Sequence, residues 1–145
     1  MTIAVKQIVP TEHEEQVQLM SWCMLMADRT GNREYDMIFA IPNGGARQKA
    51  TAGKLKAEGV KPGVPDLMLP VQRGEYAGLF LEMKRRKGGT VSAEQKSWMT
   101  ALTAQGYKCL VCHGAEEAMA AIQNYMNMGE GEESHGAGSQ GDAEL

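Results

Sequence analysis

The sequence predicts an α/β domain in which a small mixed β-sheet is flanked by helices. Three observations support this fold class: two capping boxes, short apolar runs that end at turn residues, and alternation between the two kinds of segment. The predicted order is helix, strand, helix, strand, strand, helix, strand, helix. A chain of 145 residues, 43% of them hydrophobic, is long enough for one domain with a single core.

The first half of the chain contains the first helix, the first strand and a basic helix. Thr11-Glu12-His13-Glu14 matches a capping box with Thr11 as the N-cap, and the helix that follows extends to about Ala27. Met37–Ile41 is a continuous apolar run, and it is ended by Pro42-Asn43-Gly44-Gly45. This pattern predicts a buried strand followed by a turn. Arg47–Glu58 is then predicted to form a basic helix.

The second half supplies three more strands and two helices. Asp66–Leu69 and Leu79–Met83 are predicted strands, and their connection is so short that they should be antiparallel neighbours. Ser92-Ala93-Glu94-Gln95 is a second capping box, and it begins a helix that runs to about Gln105. The last two elements are a strand and a helix, at Tyr107–Cys112 and Ala115–Met128.

The net charge of -3 divides unevenly along the chain. Residues 129–145 are Gly-rich and contain five acids but no Lys or Arg, so we expect a disordered tail after a domain of residues 1–128. Without that tail, 13 acidic and 15 basic residues remain. The basic residues form two clusters, which are either solvated faces or contacts to phosphates: Arg47, Lys49, Lys54, Lys56 and Lys61, and then Lys84, Arg85, Arg86 and Lys87.

The cysteines and the amino terminus bear on location. No secretory signal or membrane span is evident, so three cysteines predict reduced thiols in a cytoplasmic protein that is not secreted. Cys109 to His113 matches the CxxCH pattern of haem attachment. Because residues three apart on a strand point to opposite faces, we interpret these cysteines as ordinary strand residues and expect no haem.

Acidic residues next to two of the predicted strands indicate a metal site. Glu82 and Lys84 lie two apart on one strand and therefore share a face, and antiparallel pairing would bring Asp66 close to Glu82. Carboxylate oxygens suit Mg²⁺ or Mn²⁺, which activate water and polarise phosphates. The alternative is that Glu82 and Lys84 form an ion pair and that Asp66 belongs to a Pro-Asp turn.

Four segments together resemble the VRR-NUC family of the PD-(D/E)xK nuclease superfamily. They are Ile41-Pro42-Asn43-Gly44-Gly45, Gly63-Val64-Pro65-Asp66, Glu82-Met83-Lys84 and Ser92-Ala93-Glu94-Gln95-Lys96. The resemblance spans roughly Glu12 to Tyr125 and implies a restriction-endonuclease-like core. It also implies a Mg²⁺- or Mn²⁺-dependent DNA endonuclease. Standalone members of this kind are typically encoded by phages, resemble Holliday-junction resolvases and tend to act as homodimers; a phage protein would work in the host cytoplasm.

The resemblance also implies roles for individual residues. Asp66, Glu82 and the Met83 carbonyl would bind the metal ion, Lys84 would be the catalytic lysine, and Gln95 would be the polar residue on the following helix. An acid on the first helix would be Glu12 or Glu15, since Glu14 is explained as the capping partner of Thr11. Gln95 has an alternative as well, because it occupies the capping position opposite Ser92.

Two functions therefore follow from the sequence. The first is a structure-specific DNA endonuclease whose basic residues bind phosphates on both sides of the site, namely Arg47, Lys49, Lys54, Lys56, Arg85, Arg86 and Lys87. The second is a protein that binds branched DNA or a partner through the same basic surface without cleaving. Nothing in the sequence resembles a base-reading module, so we expect recognition of DNA shape.

Overall fold

The computed structural model describes residues 8–43 and 49–129, with only the backbone for residues 49–51. Within these ranges the chain forms four α-helices, one 3-10 helix and four strands. In chain order they are α1 (Glu12–Thr30), the 3-10 helix (Arg33–Met37), β1 (Phe39–Ala40), α2 (Lys49–Ala57), β2 (Leu67–Leu69), β3 (Leu79–Lys84), α3 (Ala93–Ala104), β4 (Lys108–His113) and α4 (Ala115–Met126). The predicted fold class and element order are confirmed.

The strands form one mixed sheet in the order β1-β2-β3-β4. β2 is antiparallel to β1 and β3, and the Leu67–Leu81 pair fixes the β2–β3 register. β4 runs parallel to β3, which requires a crossover, and α3 provides it. The predicted antiparallel pairing of the two central strands is confirmed.

The two faces of the sheet carry different side chains because residues alternate along each strand. The core face packs against α1 and α4, and its strand residues include Leu67, Leu69, Leu79, Leu81, Met83 and Cys112. The opposite face, which we call the α3 face, carries Phe80, Glu82 and Lys84. All six residues of β3 are buried, so the strand that bears the candidate site lies at the centre of the molecule.

The prediction of a buried strand over Met37–Ile41 is wrong. Met37 ends the 3-10 helix, the strand is limited to Phe39–Ala40, and both of its residues are exposed, Phe39 to 45%. Ile38 alone of this run is buried. β1 is an edge strand with a single neighbour, and an apolar run does not reveal whether a strand lies at the edge or the centre of a sheet.

Both predicted capping boxes form, and they fix where α1 and α3 begin. Thr11 accepts the Glu14 amide, and Ser92 accepts the Gln95 amide, while the side chain at each third position returns to the backbone of the cap residue. Each box satisfies two backbone amides that a helix leaves free at its first turn.

Glu15 is the buried acid of α1, with 0% of its surface exposed. Arg86 donates from Nε to Glu15 Oε2 at 2.7 Å, and the Ala115 amide donates to Oε1 at 3.0 Å. Ala115 is the first residue of α4, so this carboxylate also lies at the positive end of a helix dipole. One side chain thereby ties α1 to the segment after β3 and to α4.

Some expectations concern residues outside the described ranges. Of the tail predicted to be disordered, only Gly129 lies within the described ranges. Gly44, Gly45 and Arg47 also lie outside them. None of the helices within residues 8–43 and 49–129 combines the length and the hydropathy needed to cross a membrane.

We predict that Glu15→Gln lowers the free energy of unfolding by about 1–3 kcal/mol at pH 7, because Arg86 loses a charged partner. The hydrogen bond from Arg86 lowers the pKa of Glu15 below its ordinary value of 4.5. Native Glu15 therefore releases its proton more readily than unfolded Glu15, and this contribution is present above pH 4.5 and is lost as the pH falls through the native pKa. Urea unfolding at pH 7 and pH 3 measures both effects.

The matched control is Glu12→Gln, which removes an exposed acid from the same helical turn. It should change stability by only a few tenths of a kcal/mol. Equal losses in the two variants would contradict the role assigned to Glu15.

Candidate active site

The β2–β3 register brings Asp66 and Glu82 together. Asp66 precedes Leu67 and Glu82 follows Leu81, so the pairing of the two leucines places the two acids opposite each other on the α3 face. The carboxyl group of Asp66 is close enough to contribute to the raised pKa of Glu82.

Asp66 is held by two donors from different parts of the chain. Asn43 donates from Nδ2 to Oδ1 at 3.0 Å, and the Met83 amide donates to Oδ2 at 2.8 Å. The second bond continues the contact between β2 and β3 beyond the Leu67–Leu81 pair, with a side-chain oxygen as the acceptor. Asp66 is therefore fixed against β3, which is more than a Pro-Asp turn requires.

Glu82 is 2% exposed and has partners for only one of its oxygens. Gln95 donates from Nε2 to Oε2 at 2.8 Å, and Lys84 Nζ lies 3.6 Å from the same oxygen. Oε1 is buried without a hydrogen-bond partner among the described residues. A buried oxygen in this condition is costly unless it binds a proton or a cation.

The surroundings of Glu82 favour its protonated form. Burial, with a further contribution from the charge of Asp66, raises the pKa of Glu82 from 4.5 to about 8, and Lys84 only partly opposes this rise. A carboxyl group whose pKa is raised by burial and by a like charge is a frequent mark of a functional site.

Gln95 contacts both the capping box of α3 and the carboxyl group of Glu82. Its Oε1 accepts the Ser92 amide at 2.9 Å in the capping box, while its Nε2 donates to Glu82. The N-terminus of α3 is thus built onto the candidate site, and the same amide serves the helix and the carboxylate.

Within the described ranges, no hydrogen bond or ion pair joins Glu12 or Glu15 to Asp66 or Glu82. Glu12 is exposed, and Glu15 is engaged by Arg86 and Ala115. Among the described residues, no three His, Cys, Asp or Glu side chains are close enough to hold an ion together. The structure therefore brings together Asp66, Glu82, Met83, Lys84 and Gln95 out of the predicted site residues.

The predicted phosphate-binding residues differ in whether their side chains are exposed or engaged in an ion pair. Lys54, Lys56, Arg85 and Lys87 are exposed, whereas Arg86 is paired with buried Glu15. Arg47 and the side chain of Lys49 lie outside the described part of the chain. Arg86 thus contributes to the fold as well as to the basic surface.

The donors present fit a hard divalent cation. Mg²⁺ and Mn²⁺ prefer oxygen ligands, and Mg²⁺ in particular is commonly held by one or two carboxylates and several waters. The free Oε1 of Glu82, next to the Asp66 carboxylate, provides such oxygens. A cation there would relieve both the unpartnered atom and the repulsion between the two acids.

Asn43 is a site residue to which the sequence assigned no role. It belongs to the Ile41–Gly45 segment, but its partner Asp66 lies 23 positions away. The available signal was its place three residues after the end of β1, the strand that pairs with β2. The sequence did not give the register in which β1 pairs with β2, so it could not show that Asn43 lies beside Asp66.

We predict that, without metal, the Glu82→Gln variant becomes more stable relative to wild type as the pH rises from 4.5 to 8. Native Glu82 retains its proton in this interval while unfolded Glu82 has lost it, so the wild-type free energy of unfolding falls by an amount on the order of a few kcal/mol. The glutamine variant lacks this dependence. Urea unfolding in EDTA at pH 5 and pH 8 gives the difference.

Glu94→Gln serves as the control because Glu94 is an exposed acid in the first turn of α3. Its stability should follow the wild-type pH profile. Parallel profiles for wild type and the Glu82 variant would show that Glu82 ionises normally in the folded protein.

Comparison with known proteins agrees with the sequence and the geometry. The sequence model of the VRR-NUC domain matches residues 4–116. A solved structure described as a VRR_NUC domain protein is 31% identical, covers 84% of this chain and 93% of its own, and superposes with a TM-score of 0.69. No curated protein matches the chain. The chain belongs to the VRR-NUC domain family, whose domains are of the nuclease type.

Proposed function

We propose that the protein is a Mg²⁺- or Mn²⁺-dependent endodeoxyribonuclease that hydrolyses phosphodiester bonds. The observation that carries the proposal is that Oε1 of buried Glu82, beside Asp66 and Lys84, has no hydrogen-bond partner in the part of the chain that the structure describes. An ordinary strand-end ion pair would use both charges and leave no buried oxygen without a partner.

Asp66 and Glu82 would hold the cation, together with the Met83 carbonyl. The Met83 amide donates toward Asp66, and the amide and carbonyl of one strand residue point to the same edge, so this carbonyl is directed to the same region. When bound, the ion supplies an activated water and polarises the scissile phosphate.

The other polar residues position and complete the site. Lys84 is only 8% exposed, and its ammonium has three donors, of which Glu82 accepts one at most. The remaining donors would orient the attacking water or contact a phosphate oxygen. Asn43 and Gln95 each fix one carboxyl group, so the oxygens that face a ligand are set before it binds.

Exposed basic residues, two of them directly after the strand that bears Glu82 and Lys84, support DNA as the substrate. Arg85 and Lys87 directly follow β3, and Lys54 and Lys56 lie on α2. Basic side chains of this kind bind phosphates without reading bases, which favours selection by DNA shape. We therefore propose branched DNA, such as a four-way junction, as substrate and a homodimer as the active form, in which two-fold symmetry presents two sites to two strands.

We predict that Asp66→Asn, Glu82→Gln and Lys84→Ala each reduce cleavage of a four-way junction by about 100-fold or more, because each removes a cation ligand or the group that orients water. Wild-type protein should cut with Mg²⁺ or Mn²⁺ and not with EDTA. Cleavage of a radiolabelled junction tests the reaction, and comparison with a linear duplex of the same sequence tests the preference for DNA shape. Sedimentation of the protein alone tests whether it is a dimer.

Lys96→Ala is the matched control, since Lys96 is an exposed lysine that follows Glu94 by two positions, as Lys84 follows Glu82. It should retain cleavage within a few-fold of wild type. Junction binding without cleavage in any metal would favour the non-catalytic alternative, and full activity of the Lys84 variant would remove Lys84 from the site.

We also predict that Arg85→Ala combined with Lys87→Ala weakens DNA binding and flattens its dependence on salt. For each DNA phosphate that the variant no longer neutralises, the slope of log affinity against log salt should decrease in magnitude by about 0.9. Fluorescence anisotropy with Ca²⁺ in place of Mg²⁺ measures binding over a range of salt concentrations.

Lys108→Ala controls for the loss of positive charge, because Lys108 starts β4 and its Nζ lies 5.0 Å from the centre of the Tyr76 ring. Its salt slope should match wild type. An equal reduction in both variants would indicate a general charge effect instead of local phosphate binding.

A further inference from the structure

His113 is a titratable residue that the proposed mechanism leaves without a role. It is the last residue of β4, and the parallel β3–β4 register pairs it with Lys84, just as Val111 is paired with Glu82. Residues in register on neighbouring strands point to the same face, about 4.8 Å apart. The partly exposed imidazole of His113 therefore projects from the α3 face, next to the candidate catalytic lysine.

The orientation of the ring is set by the residue that follows Lys84. His113 Nδ1 lies 3.1 Å from the carbonyl oxygen of Arg85. A carbonyl oxygen accepts only, so Nδ1 carries the proton in this hydrogen bond, whether the ring is neutral or charged. Among the described residues no hydrogen bond reaches Nε2, and this nitrogen is left for a ligand.

The backbone around His113 is fixed as firmly as its ring. The His113 amide donates to Glu117 Oε1 at 2.8 Å, and the Gly114 amide donates to the Lys84 carbonyl at 2.9 Å. The Lys84 carbonyl is thus held by the Gly114 amide, and the Arg85 carbonyl by the His113 ring. The imidazole is thereby tied to the backbone that carries Lys84.

We propose that His113 is a DNA-contacting residue whose Nε2 donates to a backbone phosphate oxygen next to the scissile group, with the Arg85 carbonyl as the orienting acceptor. This inference rests on the proposed nuclease function. An imidazolium donates from both nitrogens, so it satisfies the carbonyl and a phosphate together. Lys84 is paired with it and Arg85 is its hydrogen-bond partner, so the positive charges at the end of β3 would attract the DNA backbone to this position.

Two substitutions separate the contributions of the two ring nitrogens. His113→Asn keeps a donor near Nδ1 but has nothing at Nε2, whereas His113→Gln reaches the position of Nε2 and loses the Nδ1 donor. We expect the asparagine variant to bind a four-way junction about tenfold more weakly in Ca²⁺ and the glutamine variant to remain within about threefold of wild type. In Mg²⁺ the asparagine variant should raise KM more than it lowers kcat.

The unfolding midpoint of each variant is measured alongside, so that a destabilised fold is distinguished from weaker phosphate binding. Wild-type binding and cleavage by the asparagine variant would overturn the proposal. Weakening by the glutamine variant alone would also overturn it, because the effect would then belong to the Nδ1 bond with Arg85 and not to Nε2.

The same measurements distinguish this inference from the function on which it rests. Wild-type protein that neither binds nor cuts the junction would contradict the nuclease proposal itself. A wild type that cuts and a Lys84→Ala variant that does not, combined with an unimpaired His113→Asn variant, would contradict only the role of His113.

Discussion

Two carboxyl groups are forced together at the end of a buried strand pair, and the rest of the site is arranged around that electrostatic conflict. Asp66 and Glu82 face each other because β2 and β3 are in register, and Lys84 alone offsets only part of their charge. The surrounding chain fixes them from three directions, with Asn43 after β1, the Met83 amide on β3 and Gln95 on α3. Within residues 8–43 and 49–129 one buried oxygen of Glu82 is left without a hydrogen-bond partner, which is unfavourable for stability alone and fits the cation proposed above.

Glu15 and Glu82 show how the same side chain acquires opposite properties inside one small protein. Both are almost completely buried. Glu15 receives a guanidinium and a helix-terminal amide, so its pKa is lowered and it stabilises the fold as a charged group. Burial raises the pKa of Glu82, the charge of Asp66 raises it further, and Lys84 compensates only in part. Glu15 therefore stabilises the fold as a charged group. The environment of Glu82 disfavours its charged form, and a bound ligand would offset that cost.

The segment after β3 is where fold and site are joined. The Lys84 carbonyl is bound by the Gly114 amide, the Arg85 carbonyl by His113, and the Arg86 side chain by Glu15. Gly114 has a φ of 94°, and a Cβ atom there would lie 2.9 Å from Arg86 Cγ, so this close approach requires glycine. The position of the lysine thus depends on β4, α4 and α1 together.

The sequence by itself determined the features that arise from short-range rules. Capping boxes, the order of elements and the antiparallel β2–β3 pair follow from spacing over a few residues, and that pairing was enough to predict the approach of Asp66 to Glu82. Only the tertiary structure decided that Glu15 and not Glu12 is buried, that Asn43 binds Asp66, that Gln95 serves a cap and a carboxylate at once, and that β1 is an exposed edge. The hydrogen bonds of Glu15 span 71 and 100 positions, and bonds of this range depend on how helices pack on the sheet. Local hydrogen bonding encodes where each element starts, but packing decides which polar groups lose water.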